Sequence, residues 1–154
     1  MDGIAGKRIA LVGGAGFIGH HLALRLADEG ADVHVIDGLT VNNLVQYTAM
    51  PPGSENRELY LAILNQRFDK LQAGGIPLHV EDARDYHRLS HVLSEVQPQV
   101  VVHLAAIAHA GHSNKDPMST FGHSLRTLEN SLDWARDGSE RFIYFSSSMV
   151  YGDF

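Results

Sequence analysis

The chain has 154 residues, of which 44% are hydrophobic and 19% charged, and this composition is typical of one globular domain with its own core. The net charge of −6 argues against nucleic acid or an anionic membrane as a main partner. The chain has no cysteine, no signal-peptide pattern at its start and no apolar run of ~20 residues. We therefore expect a cytoplasmic protein without disulfides or membrane spans.

The first predicted strand, an apolar run over residues 9–12, leads directly into a glycine-rich turn and a helix over residues 16–29. The glycines recur at every third position: Gly13, Gly16 and Gly19. Gly14 gives the alternative register G-x-G-x-x-G. In such a turn the first glycine allows a tight bend, the second lets the backbone approach phosphate groups, and the third lets the helix pack on the strand. The N–H groups and the dipole at the helix start attract phosphate, so this unit predicts a dinucleotide site.

An acidic residue, Asp37, follows the second predicted strand at residues 33–36, about 20 residues after the glycines. At this place a carboxylate is expected to bind both hydroxyls of a ribose. Neither Gly38 nor Leu39 is an arginine that could pair with a 2′-phosphate, so the sequence favours NAD over NADP. The alternative is a turn that binds no phosphate, with Asp37 capping a helix.

A long connection over residues 38–75 separates the second and third predicted strands. Its first half is typical of a loop, and its second half, over residues 55–73, has the apolar spacing of a helix. We expect this helix to cover one face of the sheet, and a flap near the adenosine end of the ligand is the alternative. A strand at residues 77–80 follows, and then a helix with apolar positions at Leu89, Val92, Leu93 and Val96.

The last predicted elements are a strand over residues 100–104, a helix beginning at Pro117 and a strand over residues 141–145. The helix carries an apolar seam: Met118, Phe121, Leu125, Leu128, Leu132 and Ala135. This seam can pack on the sheet or on another helix. Strands that alternate with helices predict an α/β fold, a Rossmann-like, doubly wound parallel sheet with helices on both faces and strand order 3-2-1-4-5. The ligand crevice should lie at the carboxyl ends of strands one and four.

Taken together, these motifs resemble the N-terminal part of extended short-chain dehydrogenases/reductases, in the NAD-dependent epimerase/dehydratase family that acts on nucleotide sugars. The matching segments are GGAGFIG at residues 13–19, HLAA at 103–106, Ser113 with DP at 116–117, and SSSMVYG at 146–152. The resemblance implies that NAD is bound by Gly13, Gly16, Phe17, Ile18, Gly19, Asp37, Asp82, Ala83, Leu104, Ala105 and Ala106. Within this set, Asp82 is expected at the adenine amino group and residues 104–106 beside the nicotinamide ribose.

The resemblance also implies a reaction in which NAD transiently takes a hydride from a sugar carbon, followed by epimerisation or dehydration, with Ser147 as the active-site Ser/Thr. The family's acid/base pair, Tyr-x-x-x-Lys, is missing, because no tyrosine here is followed four residues later by lysine. Ser124 stands where the family commonly has asparagine. We therefore interpret residues 1–154 as an incomplete NAD(P)-binding Rossmann domain, truncated after strand five, without its nucleotide-sugar domain and inactive alone.

Two other interpretations stay open. A stand-alone, non-catalytic NAD-binding sensor or regulatory module would carry the same cofactor motifs, although its apolar fifth strand would then be an uncovered sheet edge. The helix over residues 117–136 could serve as the contact of a homodimer. His109 and His112 are three residues apart but have no third ligand in register, so we predict no metal site.

Overall fold

A five-stranded parallel sheet forms the centre of the fold, in a computed structural model that describes residues 3–107, 116–147 and 151–152. Its strands are β1 (Arg8–Val12), β2 (Asp32–Ile36), β3 (Leu78–His79), β4 (Val100–His103) and β5 (Arg141–Tyr144). The order across the sheet is β3-β2-β1-β4-β5, which confirms the predicted topology. The third strand is shorter than predicted, since only Leu78 and His79 pair with β2.

The helices are α1 (Phe17–Asp28), α2 (Leu44–Ala49), α3 (Arg57–Ala73), α4 (Tyr86–Val96), α5 (Pro117–Thr120), a π-helical segment (Phe121–Arg126) and α6 (Thr127–Gly138). Of these, α2 lies in a stretch that the sequence predicted to be loop. It begins at Asn43, whose side chain accepts a hydrogen bond from the Leu44 N–H at 2.8 Å, and asparagine is a common helix cap. Among the described residues, no helix combines the length and the apolar character needed to cross a membrane.

Apolar side chains cover both faces of the sheet. The cluster on one face includes Leu11 and Val35 with Ala23 of α1 and Leu71 of α3. The cluster on the other face includes Val12 and Val101 with Leu93 of α4 and Ala135 of α6. As the central strand, β1 is buried from its second residue to its last, which explains its continuous apolar sequence. Helices therefore lie on both faces, as predicted.

The last helix, α6, packs towards the sheet through Ala135 of the predicted seam and through three polar residues that the sequence did not single out. The residues buried on α6 are Thr127, Asn130, Ser131 and Ala135. Four members of the predicted seam are exposed instead: Met118, Phe121, Leu125 and Leu132. Of the two alternatives for the seam, packing on the sheet therefore does not apply to these four side chains, and a π-helical segment precedes α6.

The ends of β1, β2 and β4 meet at one edge of the sheet, and this positions the candidate site. The Gly13 N–H donates to the Ile36 carbonyl at 2.8 Å, and the Leu104 N–H donates to the Val12 carbonyl at 2.8 Å. The strand order reverses between β1 and β4, the point at which such sheets open a crevice.

Candidate functional site

A cleft of about 930 Å³ opens at this edge of the sheet. Its lining includes every residue that the sequence predicted for the site: Gly13, Gly16, Phe17, Ile18, Gly19, Asp37, Asp82, Ala83, Leu104, Ala105, Ala106 and Ser147. These residues come from segments spread along the whole chain. The fold thus brings together the glycine turn, the ends of β2, β3 and β4, and the segment after β5.

The glycines of the turn differ in whether the packing of the chain leaves room for a side chain. Gly13 has φ +80°, and a Cβ there would lie 2.5 Å from the backbone nitrogen of Ala105. A Cβ on Gly19 would strike the backbone of Gly14, so both positions need glycine for the packing of the chain itself. A Cβ on Gly16 would meet nothing closer than the Gly13 carbonyl oxygen at 3.6 Å. Gly16 is therefore not required for packing.

Gly16 is also the N-cap of α1, and the first N–H groups of a helix have no partner within it. Phe17 and Ile18, which supply two of these groups, are exposed and line the cleft. The missing side chain at Gly16 leaves this backbone open to a ligand. Such an arrangement suits a phosphate group, because the helix dipole adds a partial positive charge at the same place.

Asp37 links the end of β2 to the glycine turn. Its Oδ2 accepts a hydrogen bond from the Ala15 N–H at 3.0 Å, and its Oδ1 accepts one from the Leu39 N–H at 2.8 Å. Burial raises the pKa of Asp37, and the two N–H groups counteract that effect by stabilising the charged form. Each carboxylate oxygen has a further lone pair, so the group keeps the capacity to accept two hydroxyl donors.

Asp82 lines the cleft but is already engaged by an arginine. The Arg84 guanidinium binds both carboxylate oxygens, with its shortest contact at 2.6 Å, and these hydrogen bonds lower the pKa of Asp82. Nη1 of Arg84 lies 3.1 Å from Nε2 of His123, which also lines the cleft. The sequence reasoning missed both partners. The arginine two residues after Asp82 could have indicated the pairing with Arg84. The position of His123 depends on the π-helical segment, which the apolar spacing does not predict.

Two serines stand near the ends of β4 and β5. Ser147 is exposed on the cleft wall, where the predicted role of its hydroxyl stays a prediction. The Oγ of Ser124 accepts a hydrogen bond from the Ile107 N–H at 3.3 Å and so holds the segment that follows β4. The remainder of the predicted SSSMVYG motif at residues 148–150 lies outside the described residues, as does Ser113.

The wall of the cleft beside the start of α1 comes from α2, predicted as loop, and from α3, predicted mainly to cover the sheet. Tyr47 and Tyr60 stack with ring centroids 4.7 Å apart, and both line the cleft. Ile63 and Arg67 continue this wall along α3. Positions 60, 63 and 67 share one helical face. This spacing in the sequence could have indicated that the three side chains face a ligand. Leu71 of the same helix joins the core, as expected of a helix that covers the sheet, and the flap beside the ligand stays a prediction.

Metal ligands do not form a site in the part of the chain that the structure describes. No group of three or more histidine or acidic side chains converges there. His109 and His112 lie outside the described residues.

The chain is similar to a known protein family and to solved structures. A profile described as the NAD dependent epimerase/dehydratase family matches residues 9–154. The UDP-glucose 4-epimerase of Neisseria gonorrhoeae is 27% identical over 146 residues, which are 94% of this chain and 38% of that protein. A solved structure of UDP-glucose-4-epimerase from Stenotrophomonas maltophila, with bound NAD and formylated UDP-arabinopyranose, is 25% identical with a TM-score of 0.75. That alignment covers 96% of this chain and 39% of the other.

A second solved structure holds the same cofactor. The UDP-glucose 4-epimerase of Thermus thermophilus, in complex with NAD, is 28% identical, with a TM-score of 0.62 over 84% of this chain and 34% of the other. These matches confirm the resemblance drawn from the motifs, and with it NAD as the cofactor. The chain spans 38% of the length of the Neisseria relative, so it corresponds to part of such a protein.

Proposed function

The chain belongs to the NAD-dependent epimerase/dehydratase family, and from that membership we propose that it is the cofactor-binding half of a nucleotide-sugar epimerase or dehydratase. The observation that supports this best is the junction between the glycine turn and Asp37. It combines bare backbone at a helix start with a carboxylate at the end of the next strand. A nicotinamide dinucleotide needs this pair of features, one for its diphosphate and one for its ribose.

Each part of the cleft has a role in this proposal. The first turn of α1 binds the diphosphate, and Asp37 accepts hydrogen bonds from the adenosine ribose. Asp82 stands at the adenine, sharing its carboxylate with Arg84, while residues 104–106 line the nicotinamide ribose. When bound, NAD supplies hydride acceptance, and the protein supplies orientation and electrostatics.

Ser147 is the proposed active-site residue of this chain. The residue lines the cleft, and a serine hydroxyl can hydrogen-bond the reacting hydroxyl of a sugar. A serine hydroxyl is a poor general base by itself, since its proton is lost only at high pH. Ser147 therefore orients the substrate, and the family's proton-transferring pair, Tyr-x-x-x-Lys, is not among these 154 residues.

The edge of the sheet supports a larger enzyme over a stand-alone sensor module. β5 is an edge strand, and the exposed side chains near its end include Ile143, Tyr144 and Phe145. An apolar edge of this kind invites pairing with other chains unless it is covered. A further element against β5 would remove that liability, and the activity on nucleotide sugars would belong to the whole protein.

A second copy of the chain is the proposed partner for the exposed surface of Met118, Phe121, Leu125 and Leu132. Exposed apolar patches of this kind are typical of protein interfaces. The surface lies on the helix over residues 117–136, away from the residues that pack towards the sheet.

Calorimetric titration with NAD and NADP tests the proposed function. We expect NAD to bind with one site per chain and NADP to bind at least about tenfold more weakly, because Asp37 would repel the 2′-phosphate. Absence of NAD binding, or equal binding of the two, would contradict the proposal.

A further inference from the structure

A cation lies in the wall of the cleft that faces the start of α1. The guanidinium carbon of Arg67, on α3, is 5.8 Å from the centroid of the Phe17 ring. Phe17 is the first residue of α1, next to the N-cap Gly16. The side chain of Arg67 is half-buried and lines the same cleft as these two residues. The positive end of a helix and a positive side chain thus stand together.

Within the described part of the chain, this cation has no counter-charge. Arg8 and Arg141 likewise have no ion pair among the described residues, but neither lines the cleft, whereas six arginines pair with a carboxylate within 3.5 Å: Arg25, Arg57, Arg84, Arg88, Arg126 and Arg136. For Arg67, the described residues provide neither a carboxylate within ion-pair distance nor a hydrogen bond to the guanidinium. Burial lowers the pKa of Arg67, so the surroundings disfavour its charge, and the Tyr47 hydroxyl opposes this effect only in part. A partly desolvated cation without an acid is unfavourable until an anion arrives.

The neighbouring titratable group, His20, does not change this charge balance. His20 lies in the first turn of α1, where its Nδ1 is 3.0 Å from the Gly16 carbonyl oxygen. Burial lowers the pKa of His20, and the positive charge of Arg67 lowers it further, so the ring stays neutral near pH 7. His20 therefore adds no charge, and the positive charge beside the start of α1 comes from the helix end and from Arg67, while the nearest acid of the turn, Asp37, is bonded to the N–H groups of Ala15 and Leu39.

We propose that Arg67 is a second diphosphate-binding group, which neutralises the phosphate charge of bound NAD from α3, beside the start of α1. This inference rests on the proposed function, because NAD supplies the anion. Guanidinium groups bind phosphate oxygens through directed, charge-assisted hydrogen bonds. In this proposal α3 does more than cover the sheet, because it contributes a charged contact to the cofactor that the backbone of the glycine turn does not provide.

The test compares NAD binding by calorimetry at low and high salt in the wild type, Arg67→Gln, Arg67→Lys and a matched control, Lys70→Gln. Lys70 is exposed on the same helix and does not line the cleft, so its replacement removes the same charge elsewhere. We expect Arg67→Gln to weaken NAD binding about tenfold at low salt and to reduce its salt dependence, as expected for a lost phosphate contact. Arg67→Lys should retain part of the affinity, and Lys70→Gln should bind like the wild type.

Thermal unfolding without ligand separates binding from folding. We expect the unliganded Arg67→Gln protein to melt near the wild-type temperature, since the described residues give Arg67 no ion pair to lose. NAD binding by Arg67→Gln equal to the wild type, or weakened with unchanged salt dependence, would overturn the role of Arg67 and leave the proposed function intact. A wild type that binds no NAD would overturn both.

Discussion

The Asp37 carboxylate accepts a hydrogen bond from the Ala15 N–H at 3.0 Å, although the two residues are 22 positions apart in the sequence. This contact fixes the glycine turn against the end of β2. The acid proposed to bind the ribose therefore also shapes the turn proposed to bind the diphosphate. Replacing Asp37 should therefore change both the preference between NAD and NADP and the stability of the fold.

Replacing Asp37 with asparagine should change cofactor preference. The amide keeps one acceptor oxygen but removes the negative charge, so we expect NAD to bind about tenfold more weakly and NADP to lose less affinity. Calorimetry with both dinucleotides measures this change. Asp28→Asn is the matched control, since Asp28 is exposed at the far end of α1. An unchanged ratio of NAD to NADP affinity in Asp37→Asn would contradict the ribose role.

Alanine substitutions at two glycines should separate folding from binding. At Gly13 the φ of +80° and the 2.5 Å approach to Ala105 leave no room for a Cβ, so Gly13→Ala should unfold at a clearly lower temperature. At Gly16 the nearest atom would be 3.6 Å away, so Gly16→Ala should fold normally and lose NAD affinity. Thermal melts and NAD titrations of both variants check this. A Gly16→Ala protein with wild-type affinity would contradict the diphosphate site at this turn.

The sequence predicted the sheet and the cleft well because both depend on local signals. The run at residues 9–12 and the glycines that follow encode a strand, a turn and a helix start within a few residues. Asp37 is recognisable since it directly follows a strand at a typical distance from that turn. Parallel strands then bring their carboxyl ends together whatever the details of the loops.

Contacts between distant segments could not be predicted in the same way. The pairing of Arg84 with His123 depends on the π-helical segment, and the apolar spacing of the sequence does not predict that segment. Burial of Thr127 and Ser131 in place of the apolar seam has the same origin. Arg67 reaches the cleft because α3 lies beside α1, and helix placement on a sheet is a tertiary property.

Turnover of nucleotide sugars should be absent from this 154-residue chain. It contains no Tyr-x-x-x-Lys pair, so no side chain of the family's type can take the proton from a sugar hydroxyl. Incubation with NAD and a panel of nucleotide sugars, followed by chromatography, tests this. NAD binding by the same preparation serves as the control for a folded protein. Appreciable product from protein of confirmed mass would refute the prediction.

A charge at Leu125 should disrupt self-association if the exposed seam is a dimer contact. The side chain of Leu125 is 54% exposed, so Leu125→Lys should fold normally. Sedimentation should show a dimer for the wild type and a monomer for this variant. Leu59→Lys is the control, because Leu59 is 58% exposed on α3, outside the seam. A monomeric wild type, or a dimer that survives Leu125→Lys, would exclude this contact.

His103, at the end of β4, should make folding sensitive to mild acid. Its Nδ1 lies 3.0 Å from the Ser131 Oγ and its Nε2 lies 3.1 Å from the Ala105 carbonyl oxygen, with the ring fully buried. Burial lowers the pKa of His103 to about 4, whereas the unfolded chain has the ordinary value of 6.5. The unfolded state therefore binds more protons between these values. Stability is fully present above pH 6.5 and is lost as the pH falls towards 4.

Urea unfolding at pH 7 and pH 5 measures this loss. From the two pKa values we expect His103 to account for about 2 kcal/mol of destabilisation between these pH values. His103→Gln cannot gain a proton, so it should lose less stability than the wild type over the same interval, even if it is less stable at pH 7. His91→Gln, at an exposed histidine of α4, should follow the wild type. Parallel pH profiles for the wild type and His103→Gln would show that the buried ring does not control acid sensitivity.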